Sequence, residues 1–245
     1  MGDITEVTGM VISSMPVGEF DRRIVLLTKE RGKISAFAKG ARKPNSPLVG
    51  VTRAFVFGTF QVYEGRTSYN IRQASITNYF EEIISDLDAV CYACYFAEIA
   101  DYYARENLDA AAIINLLYIS LKALVNKQIP DKLVRLVYEL RMISINGECP
   151  EFFACHNCGK EEDIDTYSMT DCGVYCKACH GQATDGIRIL QSTLYALQYI
   201  VTAPLEKLYT FTVSDTVLSE LRMVLKRICT KSFDRTMKSE AMLPS

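Results

Sequence analysis

The chain has 245 residues, of which 49% are hydrophobic and 23% charged, a balance that excludes a disordered or fibrous protein. The longest stretch without a charged residue, residues 189–205, contains several polar side chains and is too short for a transmembrane helix. Because no secretory signal is recognisable either, we expect a cytoplasmic protein.

The charges are distributed unevenly. Residues 1–80 contain 11 Lys and Arg against 6 Asp and Glu, a balance of +5, whereas the remaining 165 residues contain 16 against 23, a balance of −7. Such asymmetry indicates that the N-terminal part meets a polyanion. Uneven scatter of solvated charge is the alternative interpretation of the same counts.

The first 80 residues predict five β-strands. Runs rich in Val, Ile, Phe, Tyr and Thr occur at residues 7–12, 22–28, 33–38, 54–63 and 69–76. Gly32 is suited to a tight hairpin between the second and third strands, and the Gly and Pro residues of segment 39–47 predict a surface loop. Five strands in a segment of this size are typical of an OB-fold barrel, whose strands and loops bind oligonucleotides.

From residue 86 onward the hydrophobic period changes to about 3.6, which predicts helices. They are expected at residues 88–104, 110–125 and 131–145, with a further helix capped by Ser214. The C-terminal segment, residues 232–245, is expected to fray.

Four cysteines form the strongest motif of the chain, C-x2-C-x17-C-x2-C, and they are Cys155, Cys158, Cys176 and Cys179. Each pair can bring two thiolates to one ion, and two pairs complete the tetrahedron that Zn²⁺ favours. Residues 167–175 between the pairs can form a hairpin, as in a zinc ribbon. Since four thiolates leave no open coordination position, we predict one structural Zn²⁺ per chain and no catalytic metal.

Other assignments of the cysteine site stay open. Cys149, Cys172, His156 and His180 are possible substitute ligands, and the motif cysteines can instead be free or redox-active.

From its predicted strands and helices, the chain is expected to be an α+β protein with two domains. Residues 1–80 form an OB-fold DNA-binding domain, and residues 81–245 form a mainly helical domain with the zinc ribbon at about residues 149–181.

A nucleic-acid surface is predicted on the third strand and the loop that follows it. Alternation places Ser35, Phe37 and Lys39 on one face of the strand and Ile34, Ala36 and Ala38 on the other. If the second set lines the barrel, Phe37 can stack a base beside Lys39, and Arg42 and Lys43 extend the basic stretch. The sequence offers no array for reading bases, so backbone contacts with strong salt dependence are expected.

Three segments resemble the RecO family of recombination mediators. They are residues 9–12 (GMVI), residues 19–32 (EFDRRIVLLTKERG) and residues 38–43 (AKGARK) with Ser46. The order of barrel, helical domain and late four-cysteine insertion is also similar, so the resemblance spans essentially the whole chain.

The resemblance implies a nucleoid-associated protein of DNA repair and recombination. Such a protein binds single- and double-stranded DNA, anneals complementary strands, and helps to load RecA onto DNA covered by single-strand-binding protein (SSB), in concert with RecR. The implied DNA contacts are Arg22, Arg23, Lys39, Arg42 and Lys43, extended to Arg66 and Arg72.

We expect no enzymatic activity, because the sequence contains neither a G-x4-G-K-[ST] phosphate loop nor an H-E-x-x-H motif. Two alternatives remain. One is a zinc-dependent hydrolase, and the other is a protein-interaction scaffold that uses the acidic helical half, with the basic barrel incidental.

Overall fold

The computed structural model describes residues 4–65 and 68–244. The strands are β1 (Ile4–Val17), β2 (Asp21–Thr28), β3 (Gly32–Ala38), β4 (Phe57–Glu64), β5 (Tyr69–Asn78), β6 (Glu151–Cys155), β7 (Ile164–Ser168), β8 (Gly173–Cys176) and β9 (Ile187–Arg188). The α-helices are α1 (Leu48–Val51), α2 (Glu81–Ile84), α3 (Leu87–Tyr103), α4 (Ala111–Asn126), α5 (Asp131–Ile145), α6 (Gln191–Thr202) and α7 (Asp215–Ser232). Short 3₁₀ helices occupy His180–Gln182, Leu205–Lys207 and Lys238–Met242.

By its internal packing the chain forms two compact units, Met1–Val125 with Met237–Ser245, and Asn126–Thr236. Among the helices in the described part of the chain, none is long and apolar enough to cross a membrane. The domain division at residue 80 stays a prediction.

The first unit contains a closed five-stranded barrel in the order β1-β2-β3-β5-β4. Neighbouring strands are antiparallel, except for the parallel pair β3 and β5. Strand β1 pairs along its first half with β4 and along its second half with β2, with a bulge between Val11 and Ser13. The bulge bends the strand so that one strand can serve both neighbours. The five strands and the α+β class predicted from the sequence are confirmed.

Strand β3 shows why this sequence closes a barrel. Its residues alternate strictly between buried and half-buried, with Ile34, Ala36 and Ala38 inside. At its start, Gly32 adopts a φ of 61°, and a Cβ there would lie 1.9 Å from the carbonyl oxygen of Arg105. The predicted hairpin glycine is confirmed, and the close approach excludes any side chain.

The C-terminal segment does not fray, so the expectation for residues 232–245 is wrong over most of that range. Met237 and Ser239 are buried. The Glu98 carboxylate on α3 accepts the backbone N–H groups of Lys238 at 2.9 Å and Ser239 at 2.8 Å, as well as the Ser239 hydroxyl. The segment is short and polar, and its order depends on an acceptor 140 residues away in sequence.

In the second unit, α5, α6 and α7 pack against one another, and a four-stranded sheet has the order β6-β8-β7-β9. The predicted helix at residues 131–145 is confirmed at both ends. The Ser214 hydroxyl accepts the Val217 N–H at 3.4 Å and caps α7 as predicted. Helix α6 was not predicted from the sequence.

Candidate nucleic-acid interface and cysteine centre

The barrel brings five of the predicted basic residues to one end of two adjacent strands. Arg22 and Arg23 begin β2 and pair in register with Ala38 and Phe37 at the end of β3. Lys39, Arg42 and Lys43 follow in the loop that leaves β3, and all three are exposed. Residues separated by up to 21 positions in sequence therefore lie at one end of the barrel. Arg22 and Arg23 project from opposite faces of β2, and the Arg22 guanidinium donates to the carbonyl and hydroxyl oxygens of Thr52, each at 3.4 Å.

Hydrogen bonds fix this loop against the turn between β1 and β2. The Gly40 N–H donates to the Asp21 carboxylate at 2.7 Å, and the Arg42 N–H donates to the Phe20 carbonyl at 2.8 Å. The Arg42 guanidinium reaches the Gly18 carbonyl at 3.3 Å. Turn and loop therefore form one ordered unit.

In the part of the chain that the structure describes, the five cations at this end form no direct ion pair with a carboxylate. Within residues 4–65 and 68–244, no salt bridge involves Arg22, Arg23, Lys39, Arg42 or Lys43. Two other cations of the first unit are paired, since Arg31 lies 2.9 Å from Glu64 and Lys33 lies 3.0 Å from Asp101. Ion pairing therefore reduces the charge of those two positions but not that of the five predicted residues.

Two further predicted DNA contacts, Phe37 and Arg72, lie on the neighbouring strands β3 and β5. Phe37 is half-buried beside Arg23, its partner across the strands. Arg72 is exposed on β5, two residues beyond Asn70, which pairs with Phe37. Arg66 lies outside the described residues. The DNA-binding roles of these side chains stay predictions.

One aromatic residue at this end was missed by reasoning from the sequence. Phe20 is 39% exposed, and the Lys43 ammonium lies 5.5 Å from the centroid of its ring. Phe20 lies in a turn between two acidic residues, outside the strand alternation that indicates Phe37. Only the hydrogen-bonded approach of the loop places it next to Lys43.

The four motif cysteines converge on one point in the second unit. Their sulfur atoms all lie within 4.8 Å of one another, and the Cys158 and Cys176 sulfurs are 3.7 Å apart. A tetrahedral Zn²⁺ with bonds of about 2.3 Å requires sulfur atoms about 3.8 Å apart. The cluster therefore fits the geometry of a four-thiolate metal site.

The local fold explains how these sulfurs meet. Cys155 ends β6 and Cys176 ends β8, while a turn with Gly159 at a φ of 72° brings Cys158 back toward the strands. The predicted hairpin is confirmed, since β7 and β8 are antiparallel neighbours. Among the described residues, the metal-compatible cluster contains none of the substitute ligands Cys149, Cys172, His156 and His180.

Two thiols of the cluster have pKa values that are shifted in opposite directions. Burial raises the pKa of the Cys155 thiol, but backbone N–H donors, led by that of Cys176, outweigh burial and lower the pKa to about 6. The Asn157 amide lowers the pKa of Cys179, but burial and the neighbouring sulfurs raise it to about 11. One sulfur thus ionises easily while another resists ionisation, and a metal cation would let all four act as thiolates.

Comparison with known proteins agrees with this architecture. Residues 1–80 match the family model described as Recombination protein O N terminal, and residues 84–241 match the one described as Recombination protein O C terminal. The DNA repair protein RecO of Acetivibrio thermocellus is 34% identical over 222 residues, covering 90% of this chain and 88% of that protein. DNA repair protein RecO of Clostridium kluyveri is 28% identical over 244 residues, covering 98% and 94%. The chain therefore belongs to the RecO family of DNA repair proteins.

Proposed function

We propose that this chain is a non-enzymatic, DNA-binding recombination mediator of the cytoplasm, associated with the nucleoid. It binds single- and double-stranded DNA and anneals complementary strands. It assists the loading of RecA onto SSB-covered DNA together with RecR. The observation that carries the DNA-binding part of this proposal is the group of unpaired cations at one end of the barrel. The proposed roles of RecR, SSB and RecA rest on family membership alone.

The mechanism is electrostatic. Two DNA strands repel each other through their phosphates, and a surface with Arg22, Arg23, Lys39, Arg42 and Lys43 reduces this repulsion while releasing condensed counterions. Holding both strands on one protein also raises their local concentration, so pairing proceeds without ATP.

The cysteine cluster has a structural role in this proposal. Cys155, Cys158, Cys176 and Cys179 would hold one Zn²⁺, which ties the end of β6 to the end of β8. Because four thiolates fill the coordination sphere, the ion has no position for water or substrate. This supports a structural centre over the hydrolase alternative.

The decisive experiment removes the loop cations from the full chain. With Lys39, Arg42 and Lys43 changed to Ala, we expect weaker binding to single-stranded DNA and slower annealing of complementary oligonucleotides. The dependence of log affinity on log salt should flatten by about 2, at about 0.7 for each lost phosphate contact.

A matched control changes three exposed lysines of the second unit, Lys160, Lys207 and Lys226, to Ala and alters net charge equally. It should keep the wild-type salt slope. An unchanged slope in the loop variant would mean that the loop is only solvated surface. Negligible DNA affinity of the wild-type protein at low salt would favour the protein-interaction scaffold.

A further inference from the structure

The turn between β1 and β2 and the loop after β3 enclose an open groove of about 660 Å³. Its lining comprises Glu19, Phe20, Asp21, Lys39, Gly40, Lys43, Pro44, Asn45 and Ser46. This volume lies within the range of sites that hold small molecules, and a single nucleotide is of that class.

The aromatic ring in this groove is held in place while remaining exposed. The carbonyl oxygen of Phe20 accepts the Arg42 N–H at 2.8 Å, which fixes the backbone that carries the ring. Phe20 is 39% exposed, and the Lys43 ammonium lies 5.5 Å from the centroid of its ring. An exposed aromatic face next to cations is the combination that single-strand binders use to stack bases.

The charge of the groove favours a base over a phosphate. Two lysines and two acidic residues line it, so the lining carries no net charge. Surplus positive charge lies outside the lining, on Arg22, Arg23 and Arg42. A neutral base therefore fits the groove, and Arg23 and Arg42 remain available for backbone phosphates.

We propose that Phe20 is a stacking platform for one unpaired base, and that it gives the barrel a preference for single-stranded over double-stranded DNA. A base in a duplex is already stacked and paired, so it cannot enter the groove without opening the helix. This inference rests on the proposed DNA-binding function and adds a residue and a selectivity to it. The competing explanation is that the contact between Phe20 and Lys43 only holds the loop in place.

The chain contains no Trp, which allows a direct test. In the full-length protein, Phe20→Trp introduces a single indole whose emission should be quenched by oligo(dT) but not by an oligomer of abasic sugar-phosphates of the same length. The control is Tyr79→Trp, since Tyr79 is 42% exposed but does not line the groove. If both oligomers quenched the emission of the Phe20→Trp variant alike, or if neither did, the inference would be overturned.

Affinity measurements separate stacking from loop support. Phe20→Leu should lower affinity for oligo(dT) between about 5-fold and 150-fold, the range expected for one stacked base. Its affinity for the abasic oligomer and for duplex DNA should equal that of wild type, with an unchanged salt slope. Phe20→Tyr should retain the wild-type preference.

Two results would overturn the stacking role while leaving the proposed function intact. The first is that Phe20→Leu binds oligo(dT) with the affinity of wild type. The second is that Phe20→Leu loses affinity equally for oligo(dT), the abasic oligomer and duplex DNA, which would mean that Phe20 only supports the loop. If the wild-type protein bound no DNA at low salt, the proposed function and the stacking role would both be wrong.

Discussion

The barrel and the cysteine ribbon of residues 151–188 are stabilised in different ways. The barrel has a continuous apolar core in which Val11, Ile24, Leu26, Ile34 and Phe60 are fully buried. One buried cluster of the ribbon consists of Cys155, Tyr175, Cys176 and Cys179, and three of these four residues are candidate metal ligands. Other apolar side chains of the ribbon are buried as well, and they are Phe152, Ile164, Tyr167 and Val174. We expect a bound metal to add to the stability that this packing supplies.

The two regions also use charge differently. The five cations at one end of the barrel form no salt bridge in the described part of the chain, and we propose that they attract an external polyanion. In the ribbon, by contrast, the Asp171 carboxylate accepts hydrogen bonds from the Ser168 hydroxyl and the Tyr175 hydroxyl, each at 2.8 Å, and from the Thr184 N–H at 3.2 Å. In the proposed function, charge serves binding in the barrel, whereas in the ribbon it contributes to internal order.

The largest effect is expected from removing a metal ligand. The wild-type protein should contain about one Zn²⁺ per chain. The Cys176→Ser variant should contain no Zn²⁺, and its ribbon should unfold. The binding free energy at stake is about 10 to 16 kcal/mol for structural zinc sites. Metal analysis of freshly reduced protein and the thermal melting curve measure both effects.

Cys91→Ser is the control for this change, because Cys91 is half-buried on α3 and does not belong to the cluster. It should keep the metal. Freshly reduced wild-type protein without zinc would contradict the metal-stabilised ribbon.

Next in size is a truncation in the barrel core. Phe60→Ala should lower the free energy of unfolding by about 3 to 5 kcal/mol, because it leaves a cavity where a fully buried ring was. We expect no change in zinc content, since the ribbon and the barrel core belong to different compact units. Urea unfolding and metal analysis of the same sample provide the measurement.

The control for the core truncation is Tyr63→Ala, an aromatic residue on the same strand whose side chain is exposed. This variant should lower the free energy of unfolding much less than Phe60→Ala does. Loss of zinc in Phe60→Ala would show that the stability of the ribbon depends on the barrel.

The smallest effect is expected from the carboxylate network of the ribbon. The Ser168 and Tyr175 hydroxyls and the Thr184 N–H lower the pKa of Asp171 to about 2. Because the folded pKa is depressed, the stabilisation is fully present above about pH 4, the ordinary pKa of Asp, and is lost as the pH falls toward 2.

At neutral pH, Asp171→Asn should therefore destabilise the ribbon by about 1 kcal/mol, a modest figure because solvent screens a partly exposed carboxylate. The measurement is the melting temperature of the zinc-loaded protein. Glu162→Gln, at an exposed position of the same region, should leave it unchanged. Equal melting temperatures of Asp171→Asn and wild type would mean that the network adds nothing to the stability of the ribbon.

The strands were predictable because alternation of buried and exposed residues is a local signal. Each predicted barrel strand overlaps an observed one, but β4 begins at Phe57 rather than at residue 54. The Phe55 N–H donates to the Val11 carbonyl at 2.7 Å and Phe55 adopts a φ of 69°, so the chain turns before the strand begins. A contact with a residue 44 positions away leaves no local pattern.

The sequence by itself determined the barrel strands, four of the helices, the four-cysteine centre and the concentration of positive charge in the first 80 residues. Those features depend on hydrophobic period, on the spacing of ligands and on composition, all of which act over short stretches of chain. Only the tertiary structure decided that Phe20 lies beside Lys43, that the loop cations stay unpaired while Arg31 and Lys33 do not, and that the C-terminal segment packs on Glu98. Each of these contacts joins segments that are distant in sequence. Such contacts depend on the path of the folded chain, which no short stretch of sequence reveals.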